Sequence, residues 1–144
     1  MFWNTLEKYR DLGLLILRLG VGIGFLGFHG WGKLSGGPET WANVGGVMEI
    51  IGIGFGHTFF GFLAAFAESI GGILLAAGLF FRVATVLLGF TMIMASLSHI
   101  VSGRGSPGHA LKYASLFIGL LFIGPGKYSL DEWILRKRQS KAFK

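Results

Sequence analysis

Three stretches of this chain are long and apolar enough to cross a bilayer, and no other feature limits its fold as strongly. They run from about Leu12 to Trp31, Phe59 to Phe80 and Val83 to Val101, and a fourth, shorter one runs from about Ala110 to Gly124. A helix of about 20 apolar residues spans the hydrocarbon core. Lipid offers no partner to exposed backbone groups, so such runs must close their hydrogen bonds internally, as helices. Apolar residues make up 52% of the chain and charged residues 14%, against about a quarter charged in soluble domains. A soluble core built from 144 residues could not hide that much apolar surface. The expectation is a single all-α membrane domain over 1–144. It is a four-helix bundle with helices over about 12–32, 58–80, 83–102 and 109–124, and a basic tail over 132–144.

The first run is expected to be retained rather than cleaved as a signal peptide. It is too long, Arg18 interrupts it, and no small-residue cleavage site follows. Between the first and second spans, Gly36, Gly37 and Pro38 break the helix, after which Trp41, Val44, Val47, Met48 and Ile51 recur at helical spacing. That pattern predicts a short amphipathic piece over Ser35–His57, either interfacial or re-entrant. Phe80-Phe81-Arg82 leaves so little loop that spans two and three should form a tight antiparallel hairpin, and Ser102–His109 reads as a turn cluster.

The net charge of +6 is not spread evenly, since Arg136, Lys137, Arg138, Lys141 and Lys144 crowd the C-terminus. Basic clusters beside a span are cytoplasmic topology signals that also meet anionic lipid. With four spans both termini share one side, and Lys8, Arg10 and Arg82 agree in making it the cytoplasm. No nucleic-acid-binding motif accompanies the charge, so nucleic acid is not an expected partner. Trp3, Trp41 and Trp133 fall at expected interfaces. The chain has no cysteine, which excludes thiolate chemistry and cysteine-held clusters of its own.

One motif misleads. Gly22-Ile-Gly24-Phe-Leu-Gly27 spells GxGxxG, but a dinucleotide fingerprint needs a strand before it and a helix opening at it. Here it lies inside an apolar helix, where Gly20 and Gly24 form a GxxxG pair suited to close helix packing. More telling are the polar residues within the spans. Arg18, Gly22, Phe25, His29 and Lys33 stay on one stripe at about 100° per residue. Charged groups at membrane depth face the bundle interior and find partners. Glu68, near the middle of the second span, is the expected partner of Arg18 in a structural ion pair.

At roughly 1.5 Å per residue, His29 lies about 25 Å into its helix, His99 reaches a similar depth on the third, and Glu68 lies about 15 Å below the far end of the second. Lys33 and Lys112 flank that level. A site is therefore expected where His29, Lys33, Glu68, His99, Phe25 and Lys112 converge in the outer half of the bundle, to hydrogen-bond a quinone carbonyl or relay protons. No HxxxH spacing is present and no metal is expected. His57 and His109 sit at helix boundaries and are expected to be interfacial rather than ligands.

Three motifs in order resemble the DoxX/DoxD-type small membrane proteins over nearly the whole chain. They are Arg18 followed by His29-Gly30-Trp31-Gly32-Lys33, then Ala67-Glu68 through Gly71-Gly72, Gly78-Leu79 and Arg82, then Gly124-Pro-Gly-Lys-Tyr-Ser-Leu-Asp131. The resemblance implies a four-helix protein of the bacterial cell inner membrane. Some relatives resemble subunits of membrane oxidoreductases, including a thiosulfate:quinone oxidoreductase, and others are linked to oxidative-stress complexes or to maturation of partner proteins. In the last motif, Gly124 and Pro125 would end a helix and Ser129, with Glu132 three residues on, would cap the next.

Two functional expectations follow. The first is an accessory subunit of a quinone-linked redox system, with a membrane oxidoreductase partner. Here His29, Lys33 and His99 bond the quinone, Arg18 and Glu68 balance charge and Phe25 packs on the ring. The second is a non-enzymatic scaffold or assembly factor whose buried charges only specify packing. A small transporter is a third class and would call for a homo-oligomer, since four helices enclose only a narrow pore.

Overall fold

The computed structural model describes residues 6–142, which hold helices and no strand. Helix α1 runs Arg10–Ser35. Helix α2 (Gly37–Gly45) passes into a 3-10 turn, Gly46–Ile51. Helices α3 (His57–Ala77) and α4 (Phe81–Ser102) follow. Helix α5 spans Pro107–Ile123 and α6 spans Leu130–Ala142. Helices α1, α3 and α4 are long and apolar enough to span a bilayer. Helix α5, with 17 residues, is about 25 Å long and falls short of the roughly 30 Å hydrocarbon core.

Among the described residues six helices stand where a four-helix bundle with a short amphipathic piece was expected, and the two shorter ones, α2 and α6, have local causes. Gly37 at φ +75 breaks the chain direction after α1, and Pro38 opens α2, where its missing N–H costs nothing. Helix α2 then packs along the first half of α3. A Cβ on Gly45 or Gly61 would collide with the backbone of His57 or Trp41. Trp41 Nε1 donates to the Lys33 carbonyl at 2.9 Å, which fastens its indole to the end of α1. Trp133 is exposed, with Lys137 Nζ 4.3 Å from its ring centre; Trp3 lies outside the described residues.

Small residues set the central packing. Gly22 of α1 and Gly72 of α3 meet backbone to backbone, and Gly30 meets Ser69, with no room for a Cβ at any of the three. Gly71 sits against Leu88 of α4. The Gly20/Gly24 pair takes no part, because nothing lies within 4 Å of a Cβ built there; packing uses the glycine between them. Phe25, Leu75, Phe81, Leu88, Phe117 and Leu120 fill the core. Ile16, Ile23 and Phe28 of α1 face outward, as lipid-facing residues do.

The α3–α4 hairpin turns within Gly78–Phe80, with Gly78 at φ +66 and Phe80 at φ +45. The C-terminal motif locks this turn. Asp131 Oδ1 and Oδ2 each accept at 2.9 Å, from Phe80 N–H and Phe81 N–H, and so satisfy orphan donors at the start of α4. Asp131 N–H donates to Gly78 O at 3.0 Å. Ser129 Oγ accepts from Glu132 N–H at 3.2 Å, the expected cap, while Glu132 itself pairs with Arg136. Asp11 of α1 accepts from Lys127 N–H at 3.0 Å. The starts of α1, α4 and α6 are therefore tied together at one end of the molecule; the opposite end is the distal one.

Candidate functional site

Arg18 belongs to that lock. It is wholly buried. Its Nη2 donates to the Tyr128 carbonyl at 2.8 Å, its Nη1 lies where a Cβ on Gly78 would be, and the Asp131 carboxylate acts on its charge. The expected Arg18–Glu68 ion pair is not formed. Arg18 lies about 12 Å from the start of α1, and its long arm turns back toward the polar end, as long cationic side chains in lipid do, where a carbonyl and a carboxylate await it.

Glu68 pairs instead with Lys33, whose Nζ lies 2.7 Å from both Oε1 and Oε2. The two differ in burial: the Glu68 side chain is 3% exposed and that of Lys33 33%. Glu68 comes from the middle of α3, and Lys33 from the distal last turn of α1, reaching inward.

A six-residue π segment, Phe25–Gly30, interrupts α1 between His29's stripe and Lys33. Its wider i→i+5 turn takes up extra residues, so the uniform 100° spacing behind the single-stripe expectation does not hold there. Lys33 is aimed at α3. Phe25 and His29 are aimed at α5, where they build an aromatic ladder. Phe25 stacks on His29 at 4.9 Å and meets Phe117 edge-on at 5.1 Å, and His29 stacks on His109 at 5.9 Å. Tyr113 meets Phe25 edge-on at 5.0 Å. Lys112 lies exposed on α5, outside both groupings.

The expected cluster therefore divides. Lys33, Glu68 and His99 line one cavity of about 550 Å³ between α2, the 3-10 turn, α3 and α4. Phe25 and His29 are not among its walls, so the expected ring contact to Phe25 and bond from His29 are not available there. The remaining walls are mostly apolar, with Met48, Phe60, Leu63, Leu87, Phe90 and Met94 among them. Leu63, Leu87 and Phe90 are also outward-facing, so the cavity meets the face of the molecule that lipid covers. Asn43, Thr91 and Ser98 add polar groups to those of Lys33, Glu68 and His99. The volume and the mix of apolar wall with few polar groups suit a small lipophilic ligand. Among the described residues no three His, Asp or Glu side chains come together to hold a metal ion.

Sequence reasoning did not single out His109 for the stack with His29, nor Asn43, which lines the cavity from the segment expected to be interfacial or re-entrant. His57 is at a helix start as expected, with Nε2 3.2 Å from Glu49 Oε1.

Comparison with known proteins identifies a family and two relatives. The profile of the DoxX family matches residues 13–100. An uncharacterised protein of Haemophilus influenzae is 32% identical over 93% of this chain and 99% of its own length. The inner membrane protein YqjF of Escherichia coli is 30% identical over 92% of this chain and 99% of its own. No solved structure matches the chain significantly.

Proposed function

The chain belongs to the DoxX family, and on that premise we propose that it is an accessory subunit of a quinone-linked redox system in the bacterial inner membrane, holding a lipophilic, carbonyl-bearing ligand in the α2–α3–α4 cavity. The cavity itself carries the reading: an apolar chamber of about 550 Å³ with Lys33, Glu68 and His99 in its wall, reached from the side that lipid covers. A ring with a long tail fits that shape, its tail left in the bilayer and its oxygens at the polar groups. Lys33 has three N–H groups and uses two on Glu68, which leaves one for a ligand oxygen. With no cysteine, any redox chemistry draws on a bound cofactor or on a partner protein. The inner-membrane relative supports the compartment.

The test is gentle extraction followed by mass spectrometry of co-purifying small molecules, in wild type, Lys33→Met/Glu68→Leu, His99→Ala and His29→Ala. A quinone-type lipophile should be retained by wild type and by His29→Ala, whose ring faces α5, lost from Lys33→Met/Glu68→Leu, and altered in amount or in its ratio of oxidised to reduced form in His99→Ala. If none of the four carries or takes up such a molecule, the reading fails.

One observation favours the scaffold or assembly-factor reading instead. Glu68 is fully paired by Lys33 at 2.7 Å through both oxygens, so the pair satisfies itself without a ligand. On that reading every cavity variant that folds retains its protein partners, and nothing lipophilic co-purifies.

A further inference from the structure

The cavity wall also carries information about the oxidation state of what it holds. His99 Nδ1 lies 2.7 Å from the Arg104 carbonyl oxygen. A carbonyl only accepts, so Nδ1 carries the hydrogen, and in the neutral ring Nε2 is then a bare acceptor. The loop that imposes this is built for closeness. Gly103 and Gly105 have φ +63 and +79, and a Cβ on Gly105 would come within 2.5 Å of Nδ1 and 2.6 Å of Cε1. Only glycine lets the backbone lie against the imidazole there. Arg104 N–H in turn bonds Ser102 Oγ at 3.3 Å, which ties the carbonyl's peptide neighbour to the end of α4. The loop covers the Nδ1 side of the ring, and Nε2 is the polar atom left for the cavity that His99 lines.

A quinone carries carbonyl acceptors and no donor. It can accept from Lys33 and from Ser98, but at His99 it opposes lone pair to lone pair. A hydroquinone donates O–H to Nε2 and still accepts from Lys33 through its other oxygen lone pairs. Resting on the reading of this cavity as a quinone-type site, we infer that it is selective for the reduced, hydroxyl-bearing form, with His99 as the selecting group and Gly105 as the residue that positions it. The preference concerns binding alone and requires no electron transfer within the chain.

The experiment measures binding of decylubiquinone and of decylubiquinol, kept reduced under anaerobic conditions, to the full-length protein in lipid nanodiscs. Wild type should bind the quinol about tenfold more tightly, the factor expected when one hydrogen bond replaces one unpaired acceptor. His99→Leu should bring the ratio near one, weakening the quinol and freeing the quinone from the opposed lone pair. Gly105→Ala, which adds nothing to the cavity, should lower the ratio in the same direction by displacing the ring. Equal binding of both forms by wild type, or tighter binding of the quinone, overturns the selectivity while leaving the cavity reading intact. An unchanged ratio in His99→Leu does the same for the role of His99. Binding of neither form overturns both.

Discussion

Lys33 and Glu68 are equal in charge and unequal in burial, and the inequality makes a prediction at the scale of single residues. Removing Lys33 strands a carboxylate that is 3% exposed, with no other cation bonded to it among the described residues. Removing Glu68 leaves an ammonium that is one-third exposed, on a flexible arm near the distal end that can turn outward. Losing one partner of a buried pair costs about 3 kcal/mol or more, whereas an exposed charge relaxes for about 1 kcal/mol. Lys33→Met should therefore lower stability clearly more than Glu68→Gln. The double variant Lys33→Met/Glu68→Leu should recover most of the loss, since apolar replacement of a buried pair is often neutral. Denaturant unfolding in mixed micelles gives the three differences, and equal single-variant losses would contradict the asymmetry. That Glu68 needed a cation was legible from its place in an apolar run; which cation was not. Helix rise put Arg18 closer to the level of Glu68 than Lys33, and so pointed to the wrong cation. The choice was made by Tyr128 and Asp131, 110 residues or more beyond Arg18 in sequence, whose return to the start of α1 no local pattern announces.

Element by element, the spans could be read because apolar length is a local property. Helices expected at about 12–32, 58–80, 83–102 and 109–124 are found at Arg10–Ser35, His57–Ala77, Phe81–Ser102 and Pro107–Ile123. Which face each presents could not be read as well. The stripe from Arg18 to Lys33 assumed one angle per residue throughout, and the π segment at Phe25–Gly30 breaks that assumption between two of its members. The GxxxG pattern misled for a related reason: several glycines of α1 are spaced for close packing, and only the partner helix chooses among them. That choice can be tested within one turn of helix. A methyl added at Gly22 meets the Ala76 side chain at 2.8 Å and its backbone nitrogen at 2.9 Å, and backbone cannot give way cheaply. Gly22→Ala should destabilise by about 1–3 kcal/mol, the usual range for overpacking. At Gly20 the methyl meets nothing within 4 Å. Gly20→Ala should be neutral or stabilising by up to about 1 kcal/mol, since alanine is the better helix former. Thermal melts of the two variants side by side decide it; the reverse order would move the α1–α3 interface to the other face of α1.

For the molecule as a whole, the lock around Arg18 and Asp131 and the cavity around Lys33 and His99 stand at opposite ends, so the sidedness of the protein decides which compartment each one meets. Charge argues for a direction. Arg10, Arg82, Lys127 and the cations of α6 belong to the end where the starts of α1, α4 and α6 meet. At the distal end Lys33 is neutralised by Glu68, which leaves Arg104 and Lys112. The positive-inside bias therefore predicts termini in the cytoplasm and the His99 end of the cavity toward the periplasm. The chain lends itself to a direct test because it contains no cysteine, so a single introduced thiol reports its own position without background. Arg104→Cys, in the exposed distal loop, should react in intact cells of an outer-membrane-permeabilised strain with a maleimide that cannot cross the inner membrane. Ser140→Cys, on the exposed last turn of α6, should react only after the inner membrane is opened. The opposite pattern would turn the cavity's polar end toward the cytoplasm. Any partner that exchanges electrons with a ligand held beside His99 would then have to be sought on that side, and the basic α6 helix would lose its anionic-lipid surface as the explanation for its charge.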